Sequence, residues 1–171
     1  GRYSYFEVVK TEFSNESVLY GFYNDMNQWA YRRGDSAVLG FRETVLQPFV
    51  AGAESVAIIG SGGGRDIKLV RQVSSGRIVA MDVEPAAIQV AQGPLRDEFE
   101  NVYSLPQVEV QIGDARTYLE KSQERFDAIF FWSVGGYPQL MLSAGTGVLA
   151  PAATPENELR QLSEDLASVM Q

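Results

Sequence analysis

Short apolar runs alternate with amphipathic stretches through the middle of the chain. Four runs have the length and the apolar content of buried strands, at 55–59, 77–82, 107–112 and 126–132. Between them, apolar residues recur at helical spacing in the stretches 65–74, 84–98 and 115–123. Strands that alternate with helices in this way favour a parallel sheet with helices on both faces. We therefore predict an α/β fold built on a doubly wound, mostly parallel sheet.

The pattern before and after this core is different. Aromatic and β-branched residues at 3–9 and 18–23 flank a polar turn and predict a β-hairpin, with a further extended piece in NDMNQWAYRR. We expect residues 1–36 to form this hairpin region and residues 37–171 to form the core, which would begin with a helix at 37–49. The last predicted helix, PENELRQLSEDLASVM, is followed by no strand. The core is therefore expected to lack its C-terminal strands.

The composition excludes several kinds of chemistry and of partner. Acidic residues outnumber basic ones by 22 to 14, for a net charge of −8, so neither nucleic acid nor an anionic membrane is an expected partner. The chain has no histidine and no cysteine, which removes thiolate chemistry and the commonest metal ligands, and no metal site is expected. Without a signal-peptide pattern or an apolar run of about 20 residues, we expect a cytoplasmic protein. The aromatic hairpin suggests a contact surface for a second copy of the chain.

A glycine-rich turn, GSGGG, directly follows the first predicted strand of the core. Because glycine lacks a Cβ, Gly60, Gly62 and Gly64 allow positive φ angles and the close approach of a ligand to the backbone. Asp82 ends the next strand, where nucleotide-binding folds place an acid for ribose hydroxyls. The alternative role for Asp82 is a helix cap or a solvated turn acid. Glu84, which precedes a proline, is predicted to act in the first turn of a helix.

Two further strand ends carry candidate site residues. Asp114, in IGDAR, could accept an adenine amino group while the amide of Ala115 pairs with a ring nitrogen. An N-cap for the helix that starts there explains Asp114 equally well. Trp132, Ser133 and Tyr137 follow the fourth strand, at the end that faces the crevice for a second substrate. The other interpretation is that Trp132 belongs to the core and the rest form a turn.

The segments VAIIGSGGGRD, VAMDVEPAAI, VQIGDARTYL and RFDAIFFWS resemble motifs I to IV of class I S-adenosylmethionine-dependent transferases, in order and at ordinary spacing. Over residues 3–133 the chain is similar to the spermidine synthase family and its methyltransferase-like relatives, in which a small β-domain precedes a Rossmann-like core. The resemblance implies binding of S-adenosylmethionine, its decarboxylated form or methylthioadenosine. It implies that Gly60, Gly62 and Gly64 wrap the methionine part, that Asp82 holds the ribose, and that Asp114 with Ala115 holds the adenine.

The chain departs from that family where the amine substrate would bind. Aminopropyl-transferring members carry an acidic DSSDP-type motif after the fourth strand, and its two aspartates activate and bind the amine. Alignment places Trp132 and Gly135 at those positions, and the aspartate inside the family's glycine motif is also absent.

We therefore expect a transferase of the spermidine synthase-like superfamily that binds S-adenosylmethionine or a related thioether nucleoside and that, if it is active, transfers a methyl group to a small-molecule substrate. The sulfonium group and proximity can drive this chemistry without a dedicated general base. The alternatives are a polyamine aminopropyltransferase and a catalytically inactive binding or assembly module of the same fold. A dinucleotide-dependent oxidoreductase is disfavoured, because GSGGGR lacks the last glycine of G-x-G-x-x-G. No catalytic residue is assigned.

Overall fold

Two β-sheets organise the part of the chain that this computed structural model describes, which is residues 5–14, 16–23, 26–34 and 47–131. The strands are β1 (Phe6–Glu12), β2 (Ser17–Tyr23), β3 (Met26–Arg32), β4 (Ser55–Ile59), β5 (Arg77–Asp82), β6 (Val108–Ile112) and β7 (Ala128–Phe131). The helices are α1 (Arg65–Arg71), α2 (Pro85–Gln92) and α3 (Ala115–Lys121), with a 3-10 turn at Val102–Ser104. The second sheet has the order β6-β5-β4-β7 and is parallel throughout, which confirms the predicted α/β fold.

The central strands of the parallel sheet, β4 and β5, are buried on both faces, to which their successive side chains point in turn. The last four residues of β4 are all buried, since β5 and β7 flank that strand and apolar side chains cover both of its faces. On one face, strand side chains pack with helices α1 and α2 in a cluster that includes Val56, Ile58, Ile78, Ala80, Ile67, Leu69, Val70, Ile88, Ala91 and Phe130. On the other face they pack with α3 in a smaller cluster that includes Ala57, Ile59, Val79, Met81, Leu119 and Phe126.

The N-terminal region is a three-stranded antiparallel sheet rather than a simple hairpin. The predicted extended piece forms β3, which pairs with β2 and has a register irregularity at Gly21/Phe22. Leu19 and Tyr31 belong to the same buried cluster as the helices of the core, and Trp29 packs against that cluster. This sheet therefore lies against the core through aromatic side chains that the sequence had suggested were outside it.

A group of polar contacts fastens the end of β3 to the core. The ammonium group of Lys68 donates to the carbonyl of Gly34 at 2.6 Å and to the carboxylate of Glu100 at 2.7 Å. The same carboxylate accepts hydrogen bonds from the Tyr31 hydroxyl at 2.7 Å and from the Gly34 amide at 3.1 Å. Burial favours a higher pKa for Glu100, but these bonds outweigh it and lower the pKa. The interaction therefore holds an ionised carboxylate between the two sheets.

Several predictions concern residues outside the described ranges. Of the helix expected at 37–49, the described residues 47–50 are helical. The boundary between residues 36 and 37 and the terminal helix lie outside those ranges, so the division into a hairpin region and a core stays a proposal. Within the described residues, no helix has the length and apolar character needed to cross a membrane.

Candidate functional site

The glycine turn joins β4 to α1 at the carboxyl edge of the parallel sheet. Gly60, Gly62 and Gly64 have φ angles of 75°, 49° and 84°, a region that residues with a Cβ rarely adopt. The amides of Gly60 and Ser61 donate to the carbonyl of Met81, at 2.9 and 3.0 Å. The turn is therefore tied to the end of β5, and the left-handed backbone accounts for glycine at three alternate positions.

Asp82 is the acid that the sequence predicted at the end of β5, and it is directly bonded to the glycine turn. One carboxylate oxygen accepts from the Gly62 amide at 2.6 Å, and the other accepts from the Glu84 amide at 2.8 Å. The residue is 9% exposed. Burial raises the pKa of its carboxyl group, and the hydrogen bonds from the backbone oppose that rise. A buried carboxyl group with a perturbed pKa at a strand end is a candidate for ligand binding.

The glycines of the turn are packed against the protein itself. A Cβ added to Gly62 would lie 2.6 Å from the indole of Trp29, and one added to Gly63 would lie 2.5 Å from the same ring. A Cβ on Gly64 would lie 2.6 Å from Val102. The sequence suggested that something approaches this backbone closely, and at Gly62 and Gly63 that group is the side chain of Trp29. Trp29 was not a predicted site residue, because no local spacing links it to the turn.

Tyr103 supports the turn from the buried side. Its hydroxyl lies 2.6 Å from the carbonyl of Gly62 and 3.0 Å from the hydroxyl of Ser61. Because a carbonyl only accepts, the single hydroxyl proton of Tyr103 goes to Gly62, and Ser61 donates to Tyr103. Burial, followed by the nearby Asp82 charge, raises the pKa of Tyr103. Tyr103 is therefore a neutral donor, and it is a second site residue that sequence reasoning missed.

Asp114 follows the neighbouring strand, β6, and caps helix α3. Its carboxylate accepts from the amides of Arg116 at 3.3 Å and Thr117 at 3.1 Å, and from the Thr117 hydroxyl at 2.7 Å. The structure therefore contains the N-cap that the sequence offered as the alternative role. One oxygen already accepts both bonds from Thr117, whereas the other accepts the single longer bond and keeps capacity for another donor.

The predicted ribose and adenine residues lie at adjacent strand ends. The amide of Gly113, next to Asp114, donates to the carbonyl of Asp82 at 2.8 Å. A groove of about 440 Å³ opens beside Asp114, and its lining includes Ala115. Ile112, at the end of β6, also lines the groove and is 51% exposed, so an apolar surface lies next to the polar cap.

The remaining predicted residues have other roles or lie outside the described ranges. Glu84 caps α2, where its side chain accepts from the Ala86 amide at 2.9 Å and Pro85 takes the first helical position. Trp132, Ser133 and Tyr137 lie beyond residue 131. The described residues contain no cluster of acidic side chains suited to a metal ion.

The curated proteins that match this chain include polyamine aminopropyltransferases. A polyamine aminopropyltransferase of Mycobacterium tuberculosis is 36% identical over 81 residues, which are 46% of this chain and 16% of that protein. One of Korarchaeum cryptofilum is 24% identical over 102 residues, which are 58% of this chain and 32% of that protein. The matched segments therefore span at most about a third of these relatives.

Solved structures show the same fold. A spermidine synthase in complex with the transition-state analogue AdoDATO has a TM-score of 0.61 at 15% identity, covering 96% of this chain and 55% of that one. The spermidine synthase of Thermotoga maritima has a TM-score of 0.52 at 15% identity, covering 95% of this chain and 63% of that one. The parallel sheet is therefore of the Rossmann-like type found in spermidine synthases. The profile of the Spermine/spermidine synthase domain matches residues 45–136, more than half of the chain. The chain belongs to the spermine/spermidine synthase family.

Proposed function

We propose that this chain is the nucleoside-binding part of a transferase of the polyamine aminopropyltransferase type. The ligand would be decarboxylated S-adenosylmethionine or its product methylthioadenosine, bound over the carboxyl ends of β4, β5 and β6. The observation that carries this proposal is the 2.6 Å hydrogen bond between the Asp82 carboxylate and the Gly62 amide. It holds a buried acid and the glycine turn together at one edge of the sheet.

Each predicted residue has a distinct task in this proposal. Gly60, Gly62 and Gly64 shape the turn beside the sulfur-bearing side chain of the ligand, and Asp82 accepts hydrogen bonds from the ribose hydroxyls. The less occupied oxygen of Asp114 accepts the adenine amino group, while the amide of Ala115 donates to a ring nitrogen. This division requires Asp114 to bind adenine while it caps α3, which its two oxygens allow.

The charge of Asp82 beside the turn favours the decarboxylated ligand. Asp82 is 9% exposed, and its charge acts on the buried Tyr103. A ligand carboxylate placed beside this acidic group would be repelled, whereas an ammonium group would be attracted. S-adenosylmethionine carries that extra carboxylate and its decarboxylated form does not.

This proposal revises the expected chemistry. The comparisons support aminopropyl transfer, the alternative drawn from the sequence, over methyl transfer, because the curated relatives described above are polyamine aminopropyltransferases. In that reaction the amine nitrogen attacks the propyl carbon bonded to sulfur, the carbon–sulfur bond breaks, methylthioadenosine leaves, and the amine loses a proton. Trp132 and Gly135 cannot act as the base that accepts this proton. We therefore propose that the nucleoside half of the site is retained while the amine half is weakened.

Calorimetric titration of the 171-residue chain with four ligands tests the proposal. Methylthioadenosine and decarboxylated S-adenosylmethionine should bind, S-adenosylmethionine should bind more weakly, and NAD should not bind. Asp82→Asn should weaken binding by about 1 to 3 kcal/mol, which is about five- to 150-fold in Kd, through lost hydrogen bonds to a charged group.

Glu84→Gln is the matched control, because it lies two residues away and retains an oxygen that can cap α2. Its affinity for methylthioadenosine should equal that of the parent chain. If a folded chain binds none of the nucleosides, the proposed function is wrong. Tighter binding of S-adenosylmethionine than of its decarboxylated form would instead support methyl transfer.

A further inference from the structure

We propose that Trp29, on the N-terminal sheet, is a positioning residue of the nucleoside site. Its indole would set the conformation of the glycine turn and so align the turn with Asp82. This inference rests on the proposed function, because it concerns the same ligand. It adds a residue from a separate sheet that neither the motifs nor the comparisons indicate.

The indole fills the space over two successive glycines. The nearest ring atom to a Cβ on Gly62 would be Cδ1 of the five-membered ring, at 2.6 Å, and the nearest to a Cβ on Gly63 would be Cε3 of the six-membered ring, at 2.5 Å. Both distances are too short for real side-chain atoms. The bicyclic ring therefore lies across the turn, and the turn keeps this conformation only while both positions lack side chains.

The ring is held in place from its other sides. A Cβ on Gly21, the cross-strand partner of Trp29 in β2, would collide with the same indole. Phe99 packs edge-on at 5.6 Å between ring centroids, and Phe6 lies at 6.0 Å. A glycine of β2 and two glycines of the turn thus surround one indole, and aromatic rings pack beside it.

The packing acts on the peptide that holds the acid. The amide of Gly62 donates to Asp82 and its carbonyl accepts from Tyr103, each at 2.6 Å. A shift of Gly62 toward the space left by a smaller residue at position 29 would change the geometry of both bonds. Trp29 would therefore act on Asp82 through Gly62.

Gly63 makes a double-mutant test possible. Its φ lies outside the left-handed region, so the backbone does not disfavour alanine there, and the three atoms nearest to an added Cβ all belong to Trp29. Gly63→Ala in the parent chain should displace the turn and weaken methylthioadenosine binding by about tenfold or more. Trp29→Ala alone should weaken it by a similar factor, because the turn loses its support.

The inference predicts a specific result for the double variant. In Trp29→Ala/Gly63→Ala the added methyl group occupies part of the vacated space, so its affinity should be higher than that of either single variant. Gly62→Ala is the matched control: its φ of 49° disfavours any Cβ, so Trp29→Ala should rescue it less. Circular dichroism shows whether each variant is folded, so that a loss of affinity can be distinguished from a loss of folding.

A merely structural role for Trp29 would leave affinity per folded molecule unchanged, or would make the two losses add. Either result in a parent chain that binds methylthioadenosine would overturn the inference while the proposed function stands. A folded parent chain that does not bind methylthioadenosine would overturn both.

Discussion

Replacing Tyr103 with phenylalanine removes one oxygen atom from beneath the glycine turn and leaves the ring in place. Tyr103 is 3% exposed, so water cannot take over the hydrogen bonds of the lost hydroxyl. The carbonyl of Gly62 then loses a donor at 2.6 Å, and the hydroxyl of Ser61 loses an acceptor at 3.0 Å. Because the phenylalanine ring fills almost the same volume, the change tests polar satisfaction and not packing.

The expected cost follows from leaving buried polar groups without partners. Such groups cost about 1 to 3 kcal/mol, so the free energy of unfolding should fall by about that amount. In a domain of this size, each kcal/mol lowers the melting temperature by about 2 to 4 °C. Methylthioadenosine affinity should fall as well, because Gly62 also positions Asp82.

Urea denaturation followed by circular dichroism measures the effect, with an unchanged m value as evidence that the unfolded state is the same. Tyr118→Phe is the matched control. Its hydroxyl bonds to Glu124 at 3.0 Å, but Tyr118 is half-buried and the Glu124 side chain is 36% exposed, so water can replace that bond. The control should lose less than about 1 kcal/mol. If Tyr103→Phe unfolds at the same urea concentration as the parent, the hydroxyl does not support the turn.

The remaining predictions concern pH, adenine and catalysis. The lowered pKa of Glu100 means that its contribution to stability is complete above pH 4.5 and is lost as the pH falls through the lowered value. Glu100→Gln should therefore flatten the acid side of a plot of melting temperature against pH, and an unchanged slope would contradict this prediction. Asp114→Asn keeps a good N-cap but should weaken nucleoside binding by about 1 to 3 kcal/mol; equal affinity in calorimetry would make Asp114 a cap alone. Because Trp132 and Gly135 stand in place of the two acids, the chain should show no appreciable aminopropyl transfer to polyamines, since a positioned base contributes about 100- to 10,000-fold to the rate. Rapid release of methylthioadenosine from the decarboxylated substrate would mean that another acid, such as Asp25, serves as the base.

Local sequence patterns were enough to predict most of the fold. The bounds predicted for β4 and β5 match the structure, because a strand that is buried on both faces is a continuous apolar run bounded by turn residues. The role of Glu84 at the start of a helix was predicted from the proline beside it, since a helix N-terminus depends on a few neighbouring residues. The predicted hairpin was incomplete, because pairing of a third strand depends on contacts with β2 that the β3 sequence alone does not specify.

In the candidate site, too, some features follow from local sequence patterns and others only from tertiary contacts. Four motifs in fixed order were enough to indicate the family that the comparisons later showed, and the sequence by itself determined where the glycine turn and the two strand-end acids stand. It left open what fills the space above the turn. Tertiary structure decided that the indole of Trp29 lies against Gly62 and Gly63 and that the hydroxyl of Tyr103 bonds to Gly62. These residues are far from the turn in the chain and meet it only when the two sheets pack together, and contacts of that kind produce no periodic pattern in a sequence.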